Sequence, residues 1–330
     1  MASGAPRTTF PAALVGFGCI GLALSGYSLA VVVTPVLRIL DVSIAIPQYV
    51  VWYCGIPLLI GFLLVALDAV FLAPRRRNHR QLLVDPVSNP MMTVVLTAYN
   101  DELSIGEAVA DFIDHPLAQR VIVVDNNSSD RTAEVAREAG AIVVVETKPG
   151  YGKCVYRALT EGASYTDTHL VALCEGDMTF RAADLEKFLS YSPHADVVNG
   201  TRIVEQLRSP ITQLTSFMYY GNFAVAKLLE FKHLGKGTIT DVGTTYKVCR
   251  SEFLREHLAM FDPRVNLEFN AHFLDTLLGS EFRLVECPIT FYPRVGESKG
   301  GNTSNRRATK VGVKMIFGML LSWRLVREKS

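Results

Sequence analysis

Two long stretches near the N-terminus of this chain contain no charged side chain. They run from Phe10 to Val33 and from Val42 to Leu67. A helix of either length crosses a hydrocarbon core of about 30 Å, so the sequence predicts a hairpin of two transmembrane helices, at about residues 10–34 and 48–73, within an N-terminal region 1–80. A cleaved signal peptide is the alternative for the first stretch, but its apolar run is too long and a second stretch follows at once.

A cluster of positive charge directly follows the second stretch: Arg75, Arg76, Arg77 and Arg80. Because positive charge accumulates on the cytoplasmic side of a membrane, we expect both ends of the hairpin to lie in the cytoplasm. The short connection that contains Arg38 and Asp41 would then lie outside. The predicted localisation is the cell membrane, with a multi-pass anchor and everything after Pro74 on the cytoplasmic side.

Other patterns argue against several functions. The run Gly16-Phe17-Gly18-Cys19-Ile20-Gly21 matches a dinucleotide-binding fingerprint, yet it lies within an apolar stretch and lacks the strand, helix and acidic residue that such a site needs. We interpret its small residues as a close contact between two membrane helices. A net charge of +1 gives no bias toward nucleic acid. The six cysteines and seven histidines show no paired spacing, so the sequence indicates neither a zinc site nor a disulfide framework.

From Met91 onward, short valine-rich runs alternate with amphipathic segments. The runs predicted as strands are 93–98, 121–125, 141–146, 170–174 and 197–201. This alternation predicts an α/β domain over residues 90–300, built on a largely parallel sheet flanked by helices. Because ligands of such sheets bind beyond the carboxyl ends of the strands, the residues directly after each run are candidates for a functional site.

Polar segments follow three of the predicted strands. They are Tyr99-Asn100-Asp101-Glu102, the run from Asp125 to Asp130, and Glu175-Gly176-Asp177. In the last, two carboxylates at i and i+2, separated by a glycine that permits close backbone approach, can converge on one divalent cation, and such a cation can hold a diphosphate. A solvated acidic turn is the simpler interpretation. Ser129 or Asp130 can equally cap a helix that begins near Arg131, whereas Asp125 comes too early for that role.

A glycine-rich turn, Lys148-Pro149-Gly150-Tyr151-Gly152-Lys153, precedes a predicted helix and can bring backbone amides and one ammonium group near a phosphate. It is not a P-loop, because Thr147 stands where the first glycine of that motif is needed and no hydroxyl follows Lys153. An ordinary turn is the alternative.

With these residues in view, the segment from about Thr93 to Lys299 resembles the family 2 inverting glycosyltransferases, and among them the polyprenyl-phosphate (dolichol-phosphate mannose synthase-like) branch. The resemblance rests on Tyr99-Asn100, the run from Asp125 to Thr132, Gly152-Lys153, Glu175-Gly176-Asp177, Gly200-Thr201-Arg202 and Arg294-Val295-Gly296-Glu297-Ser298-Lys299. The last of these is the most specific for the branch. The sequence departs from the family pattern at Thr97, where a proline is usual, at Asn126, where a second aspartate is common, and at Glu175, which replaces the first aspartate of the usual Asp-x-Asp.

The resemblance implies a GT-A fold, a nucleotide-sugar donor, and Mg²⁺ or Mn²⁺ held by Glu175 and Asp177. It further implies that Asp125 contacts the nucleotide base and that Lys153 lies near the diphosphate. The residues expected to bind the nucleotide sugar are Tyr99, Asn100, Glu102, Asp125, Asn127, Lys153 and Gly176.

A nucleotide sugar breaks at its anomeric carbon when charge on the departing diphosphate is neutralised, which a divalent cation does as a Lewis acid. A phosphate monoester has its second pKa near about 6, so a polyprenyl phosphate can attack without a residue that removes its proton. We therefore predict a membrane-bound hexosyltransferase that moves a sugar from a nucleotide-sugar donor to polyprenyl phosphate at the cytoplasmic face. The acceptor phosphate is expected to contact Arg202, Arg294, Ser298 and Lys299. The predicted catalytic residues are Asp177, Arg202 and Asp241.

Two alternatives are open. If the acceptor is a hydroxyl group of a lipid or glycan, a base is needed, and Asp241 in the run Thr240-Asp241-Val242-Gly243 is the candidate, although it can also merely order a polar turn. The segment Tyr219-Tyr220-Gly221-Asn222 weakens the phosphate assignment, because the polyprenyl-phosphate branch often has a basic residue there. The second alternative is a non-catalytic membrane scaffold that keeps the fold.

Two further segments bear on a lipid acceptor. The stretch from Ile211 to Leu229 is apolar-rich and predicted as a helix, which core packing explains equally well. The run from Met315 to Trp323 is uncharged, too short to span a bilayer, and flanked by Arg306, Arg307, Lys310, Lys314, Arg324 and Arg327. We therefore predict a basic amphipathic helix at the membrane interface within residues 301–330.

Overall fold

The computed structural model describes residues 12–40, 46–72, 84–209, 212, 214–233, 236–296 and 305–327. The chain divides into two compact units, residues 1–81 and residues 82–330. Several predicted features lie outside the described residues: the basic cluster from Arg75 to Arg80, Asp41 in the connection, and the acceptor residues Ser298 and Lys299.

The first unit is a pair of packed helices, α1 (Ala12–Ile39) and α2 (Ile46–Leu67), and α2 continues as a π-helical turn, Asp68–Leu72. By length and composition, the segments Ala12–Ile39 and Trp52–Leu72 are able to cross a membrane. The prediction of two apolar N-terminal helices is therefore confirmed. Asp68 is buried, and its Oδ2 accepts a hydrogen bond of 2.6 Å from the backbone N of Ala13, at the start of α1.

The two helices touch at glycines. A Cβ atom added to Gly16 would lie 2.7 Å from the carbonyl oxygen of Gly61, and one added to Gly61 would lie 2.5 Å from that of Gly16. The close helix contact inferred from the glycine pattern is thus found at Gly16. It is not found at Gly18 or Gly21, where an added Cβ would meet nothing within 4 Å.

We expect Gly26→Cys to form a disulfide bond with Cys54 on mild oxidation, because a Cβ at position 26 would lie 3.0 Å from Cys54 Sγ. Adding Gly61→Leu should push the helices apart and reduce the disulfide yield severalfold. Gly55→Leu is the matched control, since a Cβ there meets nothing within 4 Å. The yield is measured from the gel shift after free thiols are blocked with a heavy maleimide, and equal yields for both variants would contradict this packing.

The second unit is built on a seven-stranded sheet with strand order β3-β2-β1-β4-β6-β5-β7. The strands are β1 (Met92–Ala98), β2 (Ala118–Asp125), β3 (Ile142–Val145), β4 (Leu170–Glu175), β5 (Val197–Thr201), β6 (Lys247–Arg250) and β7 (Leu284–Pro288). β1 pairs in parallel with β2 and β4, β2 with β3, and β5 with β7, whereas β6 is antiparallel to β4 and β5. All five predicted strands are present, but β6 and β7 were not predicted.

Helices cover both faces of the sheet. They are α3 (Ile105–Ile113), α4 (Thr132–Glu138), α5 (Tyr151–Ser164), α6 (Leu185–Tyr191), α7 (Ser216–Lys232), α8 (Ser251–His257), α9 (Phe269–Gly279) and α10 (Asn305–Leu320). Short 3₁₀ turns occur at Ala182–Asp184, Ser192–His194, Glu205–Leu207, Leu258–Met260 and Trp323–Leu325. The predicted helical stretch 211–229 corresponds to α7, and α10 lies within the predicted segment 301–330.

The strand β1 shows how the sheet divides the core. All of its residues are buried, and successive side chains point to opposite faces. Val94 and Leu96 pack with residues of α3, α4 and α6, whereas Val95 packs with residues of α5, α7, α8, α9 and α10. Because both faces of the sheet are covered by helices, a ligand is expected to bind at the ends of the strands.

One buried carboxylate joins three elements near the C-terminus. Asp275 on α9 accepts hydrogen bonds of 2.8 Å from Lys232 Nζ and 2.6 Å from Trp323 Nε1, and it lies 2.6 Å from His233 Nε2. The indole ring of Trp323 covers Gly318, where a Cβ atom would lie 2.4 Å from the ring. The end of α7 and the segment after α10 are therefore both fixed to α9.

Candidate active site

The three predicted polar loops meet at one edge of the sheet. In the register of the parallel strands, Ala98 at the end of β1 pairs with Asp125 at the end of β2, and Thr97 pairs with Glu175 at the end of β4. The residues that follow these strands therefore leave the sheet side by side, as the sequence predicted.

Hydrogen bonds connect the loop after β1 to the loop after β2. The backbone N of Asn100 donates to Ser128 Oγ at 2.8 Å, and Asn100 Oδ1 accepts from the backbone N of Ser129 at 2.8 Å. Glu102 Oε2 accepts from the backbone N of Arg131 at 3.0 Å. Asp125 is buried and accepts hydrogen bonds from the backbone N, at 3.3 Å, and the hydroxyl of Ser128. These side chains fix the shape of the edge.

Within the described residues, three non-glycine residues have positive φ: Asn100 (51°), Asn127 (58°) and Met178 (67°). Each of them follows a different strand, β1, β2 or β4. Such backbone conformations are uncommon outside glycine and are often found at functional sites. Their position marks this sheet edge as the candidate site.

A cavity of about 920 Å³ opens at this edge. Its polar wall comes from the loops after β1, β2 and β4 together with Tyr151, Arg202, Asn222, Asn266, Asn270 and Arg294. The residues that α7 and α10 contribute are mostly apolar, namely Phe217, Met218, Val225, Leu228, Val311, Met315 and Ile316, and α10 also contributes Arg307 and Thr309. A ligand that fills the cavity would therefore meet the charged and amide groups of the sheet edge and the mostly apolar side chains of α7 and α10.

The structure separates the predicted site residues into two groups. Tyr99, Asn127, Glu175, Asp177, Arg202 and Arg294 line the cavity. Asn100, Glu102, Asp125, Lys153, Gly176 and Asp241 are not among its lining residues. Gly152 has a packing role, because a Cβ atom there would lie 1.8 Å from the carbonyl oxygen of Val265. The binding and catalytic roles of both groups stay predictions.

Asp177 presents one carboxylate oxygen without an aligned donor. Its Oδ1 accepts hydrogen bonds from the backbone N of Thr179 at 3.0 Å and from Thr179 Oγ1 at 2.5 Å. Its Oδ2 is buried and accepts no hydrogen bond from the described part of the chain, although Arg294 Nη1 lies 3.0 Å away. The contact between Asp177 Oδ2 and Arg294 Nη1 is therefore an ion pair without an aligned hydrogen bond, and Oδ2 can still bind a second cation.

Glu175 is the second carboxylate of the pair. Its Oε1 accepts a hydrogen bond of 2.6 Å from Thr245 Oγ1. Burial, and then the nearby charge of Asp177, raise the pKa of Glu175 to about 7. A cation bound between the two carboxylates would offset the negative charge of Asp177 that disfavours ionisation of Glu175.

These two residues fit a divalent cation. No group of three or more His, Cys, Asp or Glu side chains in the described ranges is arranged to hold a metal. An ion would therefore take Glu175 and Asp177 as its protein ligands and complete its shell with ligand or water oxygens. Such incomplete carboxylate sites are typical where Mg²⁺ binds together with a phosphate-containing substrate.

Arg294 lies beside the carboxylate pair. Its Nη1 is 3.0 Å from Asp177 Oδ2 and its Nη2 is 3.0 Å from Asp101 Oδ1. The backbone holds it there, because the N of Val295 donates to the carbonyl oxygen of Asp177 at 3.1 Å. The residue predicted to contact the acceptor phosphate therefore borders the predicted metal ligands.

Arg202 and Asp241 form a buried ion pair next to the cavity. Asp241 Oδ2 accepts from Arg202 Nε at 2.7 Å, and Oδ1 accepts from Arg202 Nη2 at 2.8 Å. Asp241 also accepts hydrogen bonds from the backbone N of Arg202, from Asn222 Nδ2 and from the backbone N of Gly243. Burial acts to raise the pKa of Asp241, but the charge and hydrogen bonds of Arg202 outweigh it and hold that pKa below its usual value.

The sequence of this domain matches a known family. Residues 93–258 match the family described as Glycosyl transferase family 2. The chain belongs to glycosyl transferase family 2. An uncharacterised glycosyltransferase of Mycobacterium tuberculosis is 31% identical over 207 residues, which cover 62% of this chain and 87% of that relative. A dolichyl-phosphate hexose transferase of Haloferax volcanii is 29% identical over 226 residues, which cover 67% of this chain and 93% of that relative.

The fold of this glycosyltransferase is also known from solved structures. Glucosyl-3-phosphoglycerate synthase from Mycobacterium tuberculosis, crystallised with Mn²⁺, uridine diphosphate and glucosyl-3-phosphoglycerate, superposes with a TM-score of 0.51 at 17% identity, over 72% of this chain and 81% of that chain. An identity this low shows the fold alone. The GT-A fold implied by the resemblance is confirmed.

Sequence reasoning missed a network beneath the carboxylates of this glycosyltransferase. Asn270 on α9 donates to Tyr151 Oη at 2.8 Å and to Thr245 Oγ1 at 3.3 Å, and Thr245 in turn bonds Glu175. The buried ammonium of Lys247 donates to the carbonyl oxygens of Thr244 and Thr245 and to Asn270 Oδ1. Only Tyr151 carried a signal, since it lies in the glycine-rich turn.

Glu286 on β7 is a second missed residue. Its carboxylate accepts hydrogen bonds from the backbone N of Thr240 at 2.8 Å, from Thr240 Oγ1 at 2.7 Å, and from the backbone N of Asp241 at 3.1 Å. It thereby holds the turn that presents Asp241 to Arg202. Burial raises the pKa of Glu286 to about 7.

This pKa predicts a pH dependence of stability. The pKa of a glutamate in the unfolded chain is about 4.3, so Glu286 binds its proton more tightly in the folded chain. The stability that this proton contributes is fully present below about pH 4.3 and is lost as pH rises through the pKa of Glu286 in the folded chain. We expect the melting temperature of the wild-type chain to rise relative to Glu286→Gln when pH falls from about 7.5 to about 5.5. Thermal unfolding of both proteins at a series of pH values measures the difference, and parallel curves would contradict it.

Proposed function

We propose that this glycosyltransferase moves a sugar from a nucleotide-sugar donor to a polyprenyl phosphate at the cytoplasmic face of a membrane. The observation that carries the proposal is the two-part wall of the cavity. Carboxylates, amides and arginines form the part at the sheet edge, and mostly apolar side chains of α7 and α10, such as Leu228 and Met315, form the other part together with Arg307. A diphosphate matches the first part, and an isoprenoid chain matches the second.

The donor is proposed to bind at the polar end. Tyr99 and Asn127 line the wall there, while Asp125, Asn100 and Glu102 hold the loops that carry them. Glu175 and Asp177 would hold Mg²⁺ or Mn²⁺, which supplies Lewis-acid neutralisation of charge on the departing diphosphate.

The acceptor phosphate is proposed to lie between Arg202 and Arg294, both of which border the cavity. Cationic hydrogen bonds from guanidinium groups suit a phosphate dianion and orient its oxygen toward the anomeric carbon. No side chain has to remove a proton from such an acceptor, because the dianion is the main form at neutral pH.

The hydroxyl-acceptor alternative requires a base, and Asp241 is poorly suited to that role. Five hydrogen bonds occupy its two oxygens, and it does not line the cavity. The segment at Tyr219, which lacks a basic residue, has one nearby in space, because the guanidinium of Arg208 lies 5.2 Å from the Tyr219 ring centroid. The hydrogen bonding of Asp241 favours the phosphate acceptor, whereas Arg208 and Tyr219 are not among the residues that line the cavity.

The membrane assignment rests on α1 and α2, which are long and apolar enough to span a bilayer. The cytoplasmic orientation rests on the sequence, since Arg75, Arg76, Arg77 and Arg80 follow the second apolar stretch. An isoprenoid phosphate is itself a membrane lipid, so an anchored enzyme and its acceptor would encounter each other by lateral diffusion in the same membrane.

Two acceptors that differ in one group test the proposal. The purified full-length chain in lipid nanodiscs is incubated with Mn²⁺, a panel of uridine and guanosine diphosphate sugars, and either a polyprenyl phosphate or the matching polyprenol. We expect a glycolipid only with the phosphate. Product only with the polyprenol would establish the hydroxyl alternative, and no product with either acceptor would overturn the acceptor assignment. Absence of metal-dependent donor binding as well would favour the scaffold.

A further inference from the structure

We propose that the outer surface formed by α7 and α10 docks the second unit onto an anionic lipid bilayer. This α7–α10 surface consists of exposed residues on and just after the two helices: Phe217, Tyr220, Arg306, Lys310, Phe317, Leu320, Leu321 and Leu325. The docking is independent of the acceptor that the enzyme uses.

Four exposed residues on and just after α10 lie on a single face. Arg306, Lys310, Phe317 and Leu321 recur at spacings of four or seven residues, which brings them into one stripe along the helix. Phe317 is 52% exposed and Leu321 is 65% exposed. The stripe is therefore basic in the first half of the helix and apolar in the second.

The inner face of α10 is already used for packing. Met315 and Met319 are buried in the core, and Gly318 lies beneath the ring of Trp323. Folding therefore accounts for the inner residues and gives no reason for the outer Phe and Leu side chains. A cluster of exposed large apolar residues on a folded unit marks an interaction surface.

The helix α7 extends the same surface. It packs directly against α10, and its exposed residues include Phe217 at 51% and Tyr220 at 69%. Tyrosine with an apolar ring and a polar hydroxyl is favoured at the boundary between lipid and water.

The charges point to anionic lipid rather than to a second copy of this chain. Arg306 and Lys310 are exposed, and neither forms an ion pair with any part of the chain that the structure describes. The far end of the surface carries the exposed Arg324. A symmetric dimer through this surface would bring like charges together in either helix orientation, whereas anionic headgroups neutralise them.

The cavity reaches this surface. Phe217 and Val313 line the cavity and are also exposed, at 51% and 45%. If the proposed function holds, a lipid acceptor can pass from the bilayer to Arg202 without crossing water, which is a consequence of docking and not a requirement for it.

A spin label tests the docking directly. In the full-length chain with Cys19→Ala and Cys54→Ala, the cysteines left in the described residues are buried, so a nitroxide can be attached at Leu321→Cys. Ile142→Cys on β3 is the matched control, since Ile142 is 44% exposed and lies on the edge strand opposite β7. Collision of the label with oxygen and with a water-soluble nickel chelate is measured in nanodiscs of phosphatidylcholine with and without phosphatidylglycerol.

We expect the Leu321→Cys label to gain oxygen contact and lose nickel contact when phosphatidylglycerol is present, while the Ile142→Cys label does not change. Arg306→Gln with Lys310→Gln should lower the ratio of docked to undocked label about twenty-five-fold, because each basic residue contributes a factor of about five. Equal nickel access at the two positions in both lipids would overturn the proposal. Spin–spin broadening at Leu321→Cys would also overturn it, because a second copy would then cover the surface. Neither readout depends on transfer activity.

Discussion

Asp177→Asn should lower the rate of sugar transfer by about a thousandfold or more, because it removes one of the two carboxylates proposed to hold a cation opposite the departing diphosphate. The fold should survive, since an asparagine Oδ1 can still accept the hydrogen bonds from Thr179. The new amide would instead face Arg294 Nη1, which lies 3.0 Å from Asp177 Oδ2. Transfer of a labelled sugar and the thermal shift caused by Mn²⁺ with donor measure the two effects, and both should be lost together.

Glu134→Gln is the control for this change. Glu134 is an exposed carboxylate on α4 that pairs with Arg131 at 2.7 Å, and its loss should leave transfer and the metal-induced shift unchanged. Wild-type turnover in Asp177→Asn with Mn²⁺ present would show that the carboxylate pair is not the metal site.

Arg202→Gln and Asp241→Asn should each reduce the free energy of unfolding by about 3–5 kcal/mol, because each leaves one buried charge without its partner. The double variant should lose clearly less than the sum of the two, since it leaves neither charge unpaired. Thermal or urea unfolding of the four proteins completes this cycle. Additive losses would mean that the pair does not act as a unit.

The pair Arg120 and Asp167 gives the comparison, since the Arg120 side chain is 16% exposed and the carboxylate of Asp167 is open to solvent. The Asp167 side chain is 55% exposed, so Asp167→Asn should cost less than about 1 kcal/mol. Kinetics of Asp241→Asn, measured below its melting temperature, separate positioning from base catalysis. We expect the acceptor KM to rise and substantial kcat to remain, whereas a lost base would remove kcat and leave acceptor binding intact.

The sequence predicted the five strands that coincide with short valine-rich runs, and it failed at β6 and β7. In β6, Lys247 is a buried ammonium ion that donates to the carbonyl oxygens of Thr244 and Thr245 and to Asn270 Oδ1 on α9. No local pattern identifies a lysine that tertiary contacts will bury. Glu286 interrupts β7 in the same way, because its partners come from a turn more than forty positions earlier in the chain.

The position of the site could be predicted, because it follows from a general rule of parallel sheets. The contacts between its side chains could not. Polar loops after β1, β2 and β4 had to meet, because their strands are parallel neighbours. Nothing in the sequence indicated that Arg294 would contact both Asp101 and Asp177, or that Asn100 would hold Ser129. These contacts join residues far apart in the chain, and only the folded arrangement specifies them.

The carboxylate of Asp275 has a further consequence. It fastens Lys232 at the end of α7 and Trp323 beyond α10, so the two helices that would flank an isoprenoid tail share one anchor. The width of that channel is therefore not set by each helix alone. Truncating the chain before Trp323, or fusing a rigid partner there, would therefore also shift α7. The expected result is a change in the lengths of isoprenoid tail that the enzyme accepts.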